Sequence, residues 1–245
     1  MGEGDARARV GVIGLRERLA DVVWFIKRPT FVARPMPWGR DAGRALATVF
    51  AFGIALDWLV GFGIVWWDAS AGFLPKPVKR YDNPGELAFK VLLFAPVVEE
   101  ALFRGWLSGR VAALRFAAFG FAAHGLFLAS LWAGEAWEMP LALGGVVLIF
   151  VGLVQWLTRR GRETHVPGWF QQHFHWLVWG SSLFFALIHL GNYALFEDPR
   201  GVLVVASQLI GGLMLAYVRT RLGLGAAIFY HAAYNGLILL GLSVG

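Results

Sequence analysis

The chain has 245 residues, of which 58% are hydrophobic and only 16% are charged. Soluble domains contain about 45–50% apolar and about 25% charged residues, so this composition indicates an integral membrane protein. The chain has no cysteine, which excludes disulfides, thiol chemistry and cysteine-ligated metal sites. The formal net charge of +6 is typical of a membrane protein with basic cytoplasmic loops, so we expect no nucleic-acid partner.

The N-terminal region differs in character from the rest of the chain. Residues 10–28 mix apolar and basic side chains, a pattern that predicts an amphipathic helix lying at the membrane interface. They lack an uninterrupted apolar stretch followed by a small-residue cleavage site, so we do not expect a cleaved signal peptide. Residues 28–40 are interrupted by prolines and predict a linker. We therefore expect an interfacial region at 1–43 and one transmembrane domain at 44–245.

Seven stretches are apolar and long enough to cross a bilayer, which takes about 20 mostly apolar residues. This pattern predicts an all-α fold, a polytopic membrane bundle of about seven transmembrane helices preceded by the amphipathic helix. The predicted spans are Arg44–Trp67, Glu86–Leu107, Val111–Trp132, Pro140–Leu157, Phe174–Phe196, Gly201–Val218 and Gly223–Val244.

The charges of the loops predict an orientation. Basic residues concentrate in the N-terminal region and in the loops after the second, fourth and sixth spans, which fall on one side. One loop on the opposite side carries Glu135 and Glu138. The positive-inside tendency therefore predicts a multi-pass protein of the plasma (inner) membrane with a cytoplasmic N-terminus. Lys76, Lys79 and Arg80 disagree, because they precede the second span on the predicted outer side.

Several ionisable or polar side chains lie within the apolar spans. A charge at a helix centre costs about 2.5–3.5 kcal/mol on insertion scales, and such residues usually face a protein interior or a wet cavity. We expect His124 in the third span to be structural, and Asp57 in the first span to pair with Lys90 or to face water. The remaining polar residues are Glu99, Glu100 and Arg104 in the second span, His189 in the fifth, and His231 and Asn235 in the seventh.

Helical spacing sorts the charges of the second span. Residues four apart lie on one face of a helix, so Glu100 and Arg104 are predicted to form an intrahelical ion pair. Glu99 is rotated from Glu100 by about 100° and has no partner in its own helix. We therefore expect Glu99 to find a partner on another span or to face water.

The fifth and seventh spans repeat this spacing with other polar groups. Phe185 and His189 share one face, as do His231 and Asn235. Convergence of these residues with Glu99 in a low-dielectric bundle would make a hydrolytic site. A buried glutamate with a histidine partner suits base chemistry, and an amide hydrolysed by water also needs donors aimed at the developing oxyanion.

Three short motifs carry a family resemblance. EEALFR at 99–104, FALIH at 185–189 and HAAYN at 231–235 resemble the motifs EExxxR, FxxxH and HxxxN/D of the CPBP family of intramembrane proteases. This family includes the type II CAAX prenyl endopeptidases and bacteriocin-processing or immunity proteins. All three motifs occur in family order on separate spans, and the resemblance covers residues 86–245.

The resemblance implies a role for each motif residue. Glu99 and His189 would activate a water molecule, and His231 and Asn235 would stabilise the oxyanion. These roles make chemical sense, because a carboxylate accepts a proton and a neutral amide supplies an N–H donor.

The remaining motif residues would support the reacting groups. Glu100 and Arg104 would be a structural pair that fixes the rotation of the second span. Phe185 would stand beside His189 on the same helix face. The resemblance also implies a membrane-embedded or lipidated protein or peptide as substrate. Membrane lipids are the second expected partner.

A metal-dependent mechanism is an open alternative. Glu99, His189 and His231 would suffice to hold Zn²⁺ with one open position for water. We favour a metal-free site without a cofactor, because the sequence has no HExxH motif and Asn235 fits a donor better than a ligand.

Two other functions compete with proteolysis. The first alternative is a catalytically idle family member that acts as a bacteriocin-immunity or membrane binding protein. All four catalytic positions are intact, which makes this alternative less favoured. The second alternative is a transporter or channel that uses the glutamate and histidine groups as a proton relay. A transporter is expected to contain an inverted repeat, and the sequence shows none.

Overall fold

The structure is a computed structural model that describes residues 14–78 and 83–244. Lys79, Arg80 and the first residues of the predicted amphipathic segment lie outside these ranges. Four short helical turns lie between the α-helices of the described residues: a π-helical turn at Lys90–Phe94 and 3₁₀ turns at Gly105–Ser108, His189–Asn192 and Pro199–Val205. The α-helices are α1 (Leu15–Lys27), α2 (Arg40–Ala71), α3 (Pro84–Phe89), α4 (Ala95–Phe103), α5 (Val111–Ser130), α6 (Glu135–Arg159), α7 (Gly168–Gln172), α8 (Phe174–Ile188), α9 (Ala206–Leu222) and α10 (Leu224–Val244).

Six helical segments in the described ranges are long and apolar enough to cross a membrane. Each overlaps one of the predicted spans, which confirms the all-α polytopic bundle. The remaining predicted span, Glu86–Leu107, is helical from α3 through α4 but carries four ionisable side chains in its helical part. The prediction of seven spans is therefore approximate. The six segments are Arg40–Ala71, Val111–Ser130, Glu135–Arg159, Phe174–Asn192, Pro199–Leu222 and Leu224–Gly241.

Several predicted boundaries were wrong because hydropathy does not register a change of backbone hydrogen bonding. The span predicted to start at Pro140 begins at Glu135, since the proline lies near the N-terminus of α6 and the helix continues through it. The span predicted to end at Phe196 changes to a 3₁₀ turn after Ile188. The span predicted from Gly201 starts within another 3₁₀ turn, which precedes α9.

Helix α6 lies at the periphery of the bundle. Its buried residues are two glycines, Gly145 and Gly152, which face Phe127 and Phe119 of α5 so closely that a Cβ would lie 2.6–2.7 Å from the nearest atom of those side chains. Large apolar side chains such as Phe150 cover the opposite face and are exposed. An apolar face of this extent is unfavourable in water and suits contact with lipid.

Helix α9 lies at the centre of the bundle. Its residues from Gly212 to Thr220 are all buried, and it packs against α1, α2, α8 and α10. A helix that is buried on every side is expected to be apolar all round, and the buried residues from Gly212 to Val218 are small, aliphatic or aromatic, followed by the buried polar residues Arg219 and Thr220. The elements around α9 therefore include α8 and α10, two of the helices that carry the sequence motifs.

Helix α1 is attached to α9 through both apolar and polar contacts. Val22 and Phe25 are buried, and the ring of Phe25 meets that of Tyr217 edge-on at 5.3 Å between centroids. The Tyr217 hydroxyl donates a hydrogen bond to Asp21 at 2.8 Å. Arg221 forms an ion pair with the same carboxylate at 3.2 Å. The helix predicted to lie at the interface thus has a defined docking position on the bundle.

Helices α8 and α9 approach closely where Gly212 of α9 meets the small residue Ser182 of α8. A Cβ at Gly212 would lie 3.2 Å from the Cβ of Ser182 and 3.3 Å from a guanidinium nitrogen of Arg104, whereas one at Gly211 meets nothing within 4 Å.

We expect the free energy of unfolding of Gly212→Ala to be about 1–3 kcal/mol lower than that of Gly211→Ala, because the methyl group at 212 forces these neighbours apart while both changes gain the same helix propensity. Gly211→Ala is the matched control and is expected to be neutral or slightly stabilising, since alanine favours helix. Thermal unfolding of the two purified variants in detergent compares them directly. Equal melting temperatures would contradict close packing at Gly212.

Candidate active site

The predicted ion pair between Glu100 and Arg104 is present in α4. An Arg104 Nη atom donates to Glu100 Oε1 at 3.0 Å, and both side chains are fully buried. The guanidinium carbon lies 3.9 Å from the ring centroid of Phe185, a cation–π distance. Within the described ranges, Nε and the other Nη of Arg104 have no hydrogen-bond partner. The cation is therefore held by one carboxylate and one aromatic face.

His231 of α10 lies between the two adjacent glutamates of α4. Its Nδ1 is 3.0 Å from Glu100 Oε1, and its Nε2 is 3.8 Å from Glu99 Oε2. Glu100 Oε1 therefore serves both Arg104 and His231. The partner that Glu99 lacks in its own helix is supplied from α10, at a distance beyond that of a direct hydrogen bond.

His189 caps the C-terminal end of α8. Its backbone N–H donates to Ala186, three residues back, so the helix turns to 3₁₀ geometry and the carbonyl of Phe185 loses its usual donor. That carbonyl instead accepts a 2.7 Å hydrogen bond from the His189 ring through Nδ1. This bond assigns the proton to Nδ1 and leaves Nε2 as the acceptor. The FxxxH spacing thus fixes the tautomer of the histidine.

Asn235 of α10 is held by a backbone carbonyl that the π-helical turn releases. The Ala95 N–H donates to Lys90 O, and the next residue, Pro96, has no N–H to donate. The carbonyl of Val91 thus has no donor in its own helix, and it accepts a 2.9 Å hydrogen bond from Asn235 Nδ2. A proline four residues before the second glutamate therefore creates the acceptor that positions the amide.

A cavity of about 340 Å³ brings the residues of the second and third motifs together. Phe185, His189, His231 and Asn235 all line it. Its volume is at the lower end of the range found for ligand-binding pockets. Glu99 is not among the residues that line the cavity, but it lies 3.8 Å from His231, which does line it. The side chain of Glu99 is 26% exposed.

Asp57 also lines this cavity, and its role in the sequence analysis needs correction. Asp57 is buried and accepts a short hydrogen bond from the Tyr234 hydroxyl, rather than pairing with Lys90, which lies 2.6 Å from Glu86. Sequence reasoning missed Tyr234 as its partner because tyrosines are common in apolar spans. The available signal was the carboxylate itself, which lies in the middle of an otherwise apolar stretch.

The three residues proposed as alternative zinc ligands do not form a coordination site. In the described part of the chain, no three histidine, aspartate or glutamate side chains are close enough together to hold a metal ion. His189 directs Nδ1 to a carbonyl, and His231 directs its ring nitrogens to Glu100 and Glu99. The geometry of the described residues thus does not fit Zn²⁺.

Arg219 closes the C-terminal end of α4, the helix that carries both glutamates. Its Nε donates to the carbonyl of Arg104 at 2.9 Å, and an Nη atom donates to that of Gly105 at 3.1 Å. Carbonyls at a helix C-terminus lack intrahelical donors, and a cation there also complements the helix dipole. Arg219 therefore fixes α4 to the buried helix α9.

The comparisons with known proteins gave one match. No curated protein and no solved structure matches the chain. The model of the family described as type II CAAX prenyl endopeptidase Rce1-like matches residues 86–237, which is more than half of the chain. The matched segment includes all three motifs and leaves out Asp57. The chain is therefore an integral membrane protein that belongs to the type II CAAX prenyl endopeptidase Rce1-like family, a family of membrane proteases.

Proposed function

We propose that this protein is an intramembrane endopeptidase that hydrolyses a peptide bond near the C-terminus of a membrane-anchored or prenylated substrate. The observation that carries the proposal is the convergence of His189, His231 and Asn235 on one cavity, with Glu99 3.8 Å from His231. The cavity lies among apolar helices, where polar groups are energetically unfavourable and therefore usually have a function. We also propose that the N-terminus is cytoplasmic, from the distribution of basic loops.

Glu99 and His189 act as the groups that activate water in this proposal. Oε2 of Glu99 accepts no hydrogen bond from the described residues, so it is free to receive a proton. Two atoms 3.8 Å apart, here Glu99 Oε2 and His231 Nε2, can each lie about 2.8 Å from one water molecule. His189 offers its unprotonated Nε2 from the cavity wall. As the water oxygen bonds to the substrate carbonyl carbon, its proton passes to Glu99.

Asn235 and His231 stabilise the oxyanion that this attack creates. The amide nitrogen of Asn235 has two hydrogens, and the bond to Val91 occupies only one of them. The second is available to the substrate oxygen. Because its amide is already fixed by Val91, Asn235 donates without reorganisation, which is the property that makes an oxyanion site effective.

His231 performs its part as an imidazolium. Its Nδ1 faces Glu100, so Nε2 also carries a hydrogen only when the ring is protonated. Two carboxylates, Glu99 and Glu100, then balance the charges of Arg104 and His231, and the buried cluster is neutral. Neutrality matters because an unpaired charge in a low-dielectric interior is strongly unfavourable. When the tetrahedral intermediate collapses, the C–N bond breaks and Glu99 returns its proton to the leaving amine.

Mass-spectrometric comparison of membrane-protein termini tests the proposal and identifies a substrate. Cells would carry wild type, Glu99→Gln or the control Glu138→Gln at matched expression, since Glu138 is exposed in the first turn of α6. We expect new C-termini in cells with wild type and with the control that are absent with Glu99→Gln. Identical termini in all three strains, under conditions in which the gene affects growth, would contradict proteolysis and favour the binding or immunity function.

A further inference from the structure

A second cavity, of about 460 Å³, lies where α9 ends and α10 begins. The cavity of the candidate active site lies further along both helices from this point. On α9 it is lined by Arg219 and Thr220, in the last turn of the helix, whereas the first cavity is lined by residues of the first turns, such as Ser207. The loops at this end carry the arginines that predict a cytoplasmic face. The cavity is thus separate from the candidate active site.

Among the residues that the structure describes, three arginines and no aspartate or glutamate line this cavity. Arg219 is buried and, among the described residues, donates its hydrogen bonds to backbone carbonyls. Glu100 is near enough to favour its charge but forms no ion pair with it, because Glu100 pairs with Arg104. Arg160 stacks on Trp156, with 4.9 Å between the guanidinium carbon and the ring centroid. For Arg110 and Arg160, the described residues provide no ion pair, in contrast to their neighbour Arg159, which pairs with Glu163 at 3.0 Å.

Backbone donors add to the positive character of the site. Gly223 and Leu224, at the N-terminus of the long helix α10, also line the cavity. The N–H of Gly223 donates to the carbonyls of Val218 and Arg219, and the first bond of α10 runs from the N–H of Ala227 to the carbonyl of Gly223. The N–H of Leu224, which precedes that bond, therefore has no partner within the helix. Free N–H groups and the positive end of the helix dipole favour an anion beside the arginines.

We propose that this cavity binds a phosphate-bearing anion, with Arg110 and Arg160 as its ligands and Arg219 as a fixed charge behind them. Guanidinium groups match the geometry of phosphate oxygens and bind them in a bidentate manner. The positive charge of the three guanidinium groups is also larger than one carboxylate would neutralise. The same chemistry describes the headgroup of an anionic phospholipid and a free phosphate. Trp156, Leu107 and Leu224 in the wall provide apolar contact beside the arginines, which favours the lipid.

Binding measurements on the purified full-length protein in detergent test this proposal. The probes are phosphatidylglycerol, with phosphatidylcholine as the neutral reference, and inorganic phosphate. The test variant is Arg110→Gln/Arg160→Gln. The matched control is Arg115→Gln/Arg159→Gln, which removes the same charge from the same end of the molecule but outside the cavity, since both arginines pair with Glu163.

We expect wild type to bind phosphatidylglycerol in preference to phosphatidylcholine, and the test variant to bind it at least about tenfold more weakly. The control is expected to stay within about twofold of wild type. Binding of inorganic phosphate with the same dependence on Arg110 and Arg160 would also support the site and would assign the ligand to the soluble phase. Melting temperatures check that both variants are folded.

Two results would overturn the proposal. The first is a test variant that binds both probes as tightly as wild type does. The second is an equal loss of binding in the Arg115→Gln/Arg159→Gln control, because general surface charge would then explain the affinity. Neither result bears on proteolysis, since no residue changed here contacts the cavity that contains His189 and His231.

Discussion

Replacing Glu99 by glutamine is expected to lower the rate of peptide hydrolysis by about 10²–10⁴-fold, the range typical for loss of a general base. The amide has nearly the same shape but cannot accept a proton from water. The melting temperature is expected to fall only modestly, because Glu99 Oε2 accepts no hydrogen bond from the described residues and the side chain is 26% exposed, so solvent screens the charge that Glu99 no longer balances. Activity and stability therefore separate at this position.

The measurement compares initial rates of purified wild type, Glu99→Gln and Glu138→Gln on a peptide that spans the cleavage site found in cells. Glu138 is exposed in the first turn of α6, so its replacement controls for the loss of one carboxylate. A Glu99→Gln variant that cleaves within a few-fold of wild type would remove Glu99 from the reaction. His189, whose Nε2 is unprotonated, would then be the remaining candidate for the base.

Replacing Arg104 by methionine is expected to lower the free energy of unfolding by about 3–5 kcal/mol, the cost of breaking a buried ion pair. Both members of the pair are fully buried, and the change leaves Glu100 with only His231 to balance its charge. Methionine keeps much of the volume of the arginine stem, so an empty cavity contributes little to the loss. The stacking of the guanidinium on Phe185 is lost as well.

A double-mutant cycle isolates the interaction of the pair. We expect Arg104→Met/Glu100→Gln to be more stable than Arg104→Met alone, because the second change removes the buried carboxylate that has lost its arginine. Thermal or denaturant unfolding of the four proteins in detergent gives the coupling free energy. Effects of the two single changes that simply add would show that the pair does not interact energetically.

These two predictions assign different tasks to adjacent glutamates. Glu100 faces the interior, where it binds Arg104 and His231 and accounts for stability. Glu99, rotated by about 100° on the same helix, is half-buried and lacks a direct hydrogen bond through Oε2. Arg219 fixes the helix that carries both, through the carbonyls at its C-terminal end. The rotation of α4 is thus set by α9 and α10 together.

The membrane class, the helical fold and the pairs that lie four residues apart could all be predicted from the sequence. Glu100 with Arg104, and Phe185 with His189, are contacts within one helix, so the periodicity of the helix places them without knowledge of the bundle. Helix boundaries were less accurate, because apolar composition continues where the backbone changes to π or 3₁₀ geometry.

The tertiary structure was needed to show which helices pack together and which hydrogen bonds form between them. The contacts of Glu100 with His231, of Asp57 with Tyr234 and of Val91 with Asn235 join residues 131, 177 and 144 positions apart. Such contacts depend on how whole helices pack, and hydropathy is the same for every arrangement that buries the same faces. A local feature, Pro96 beside the π-helical turn, frees the carbonyl of Val91, but only the packing of α10 brings Asn235 to that carbonyl.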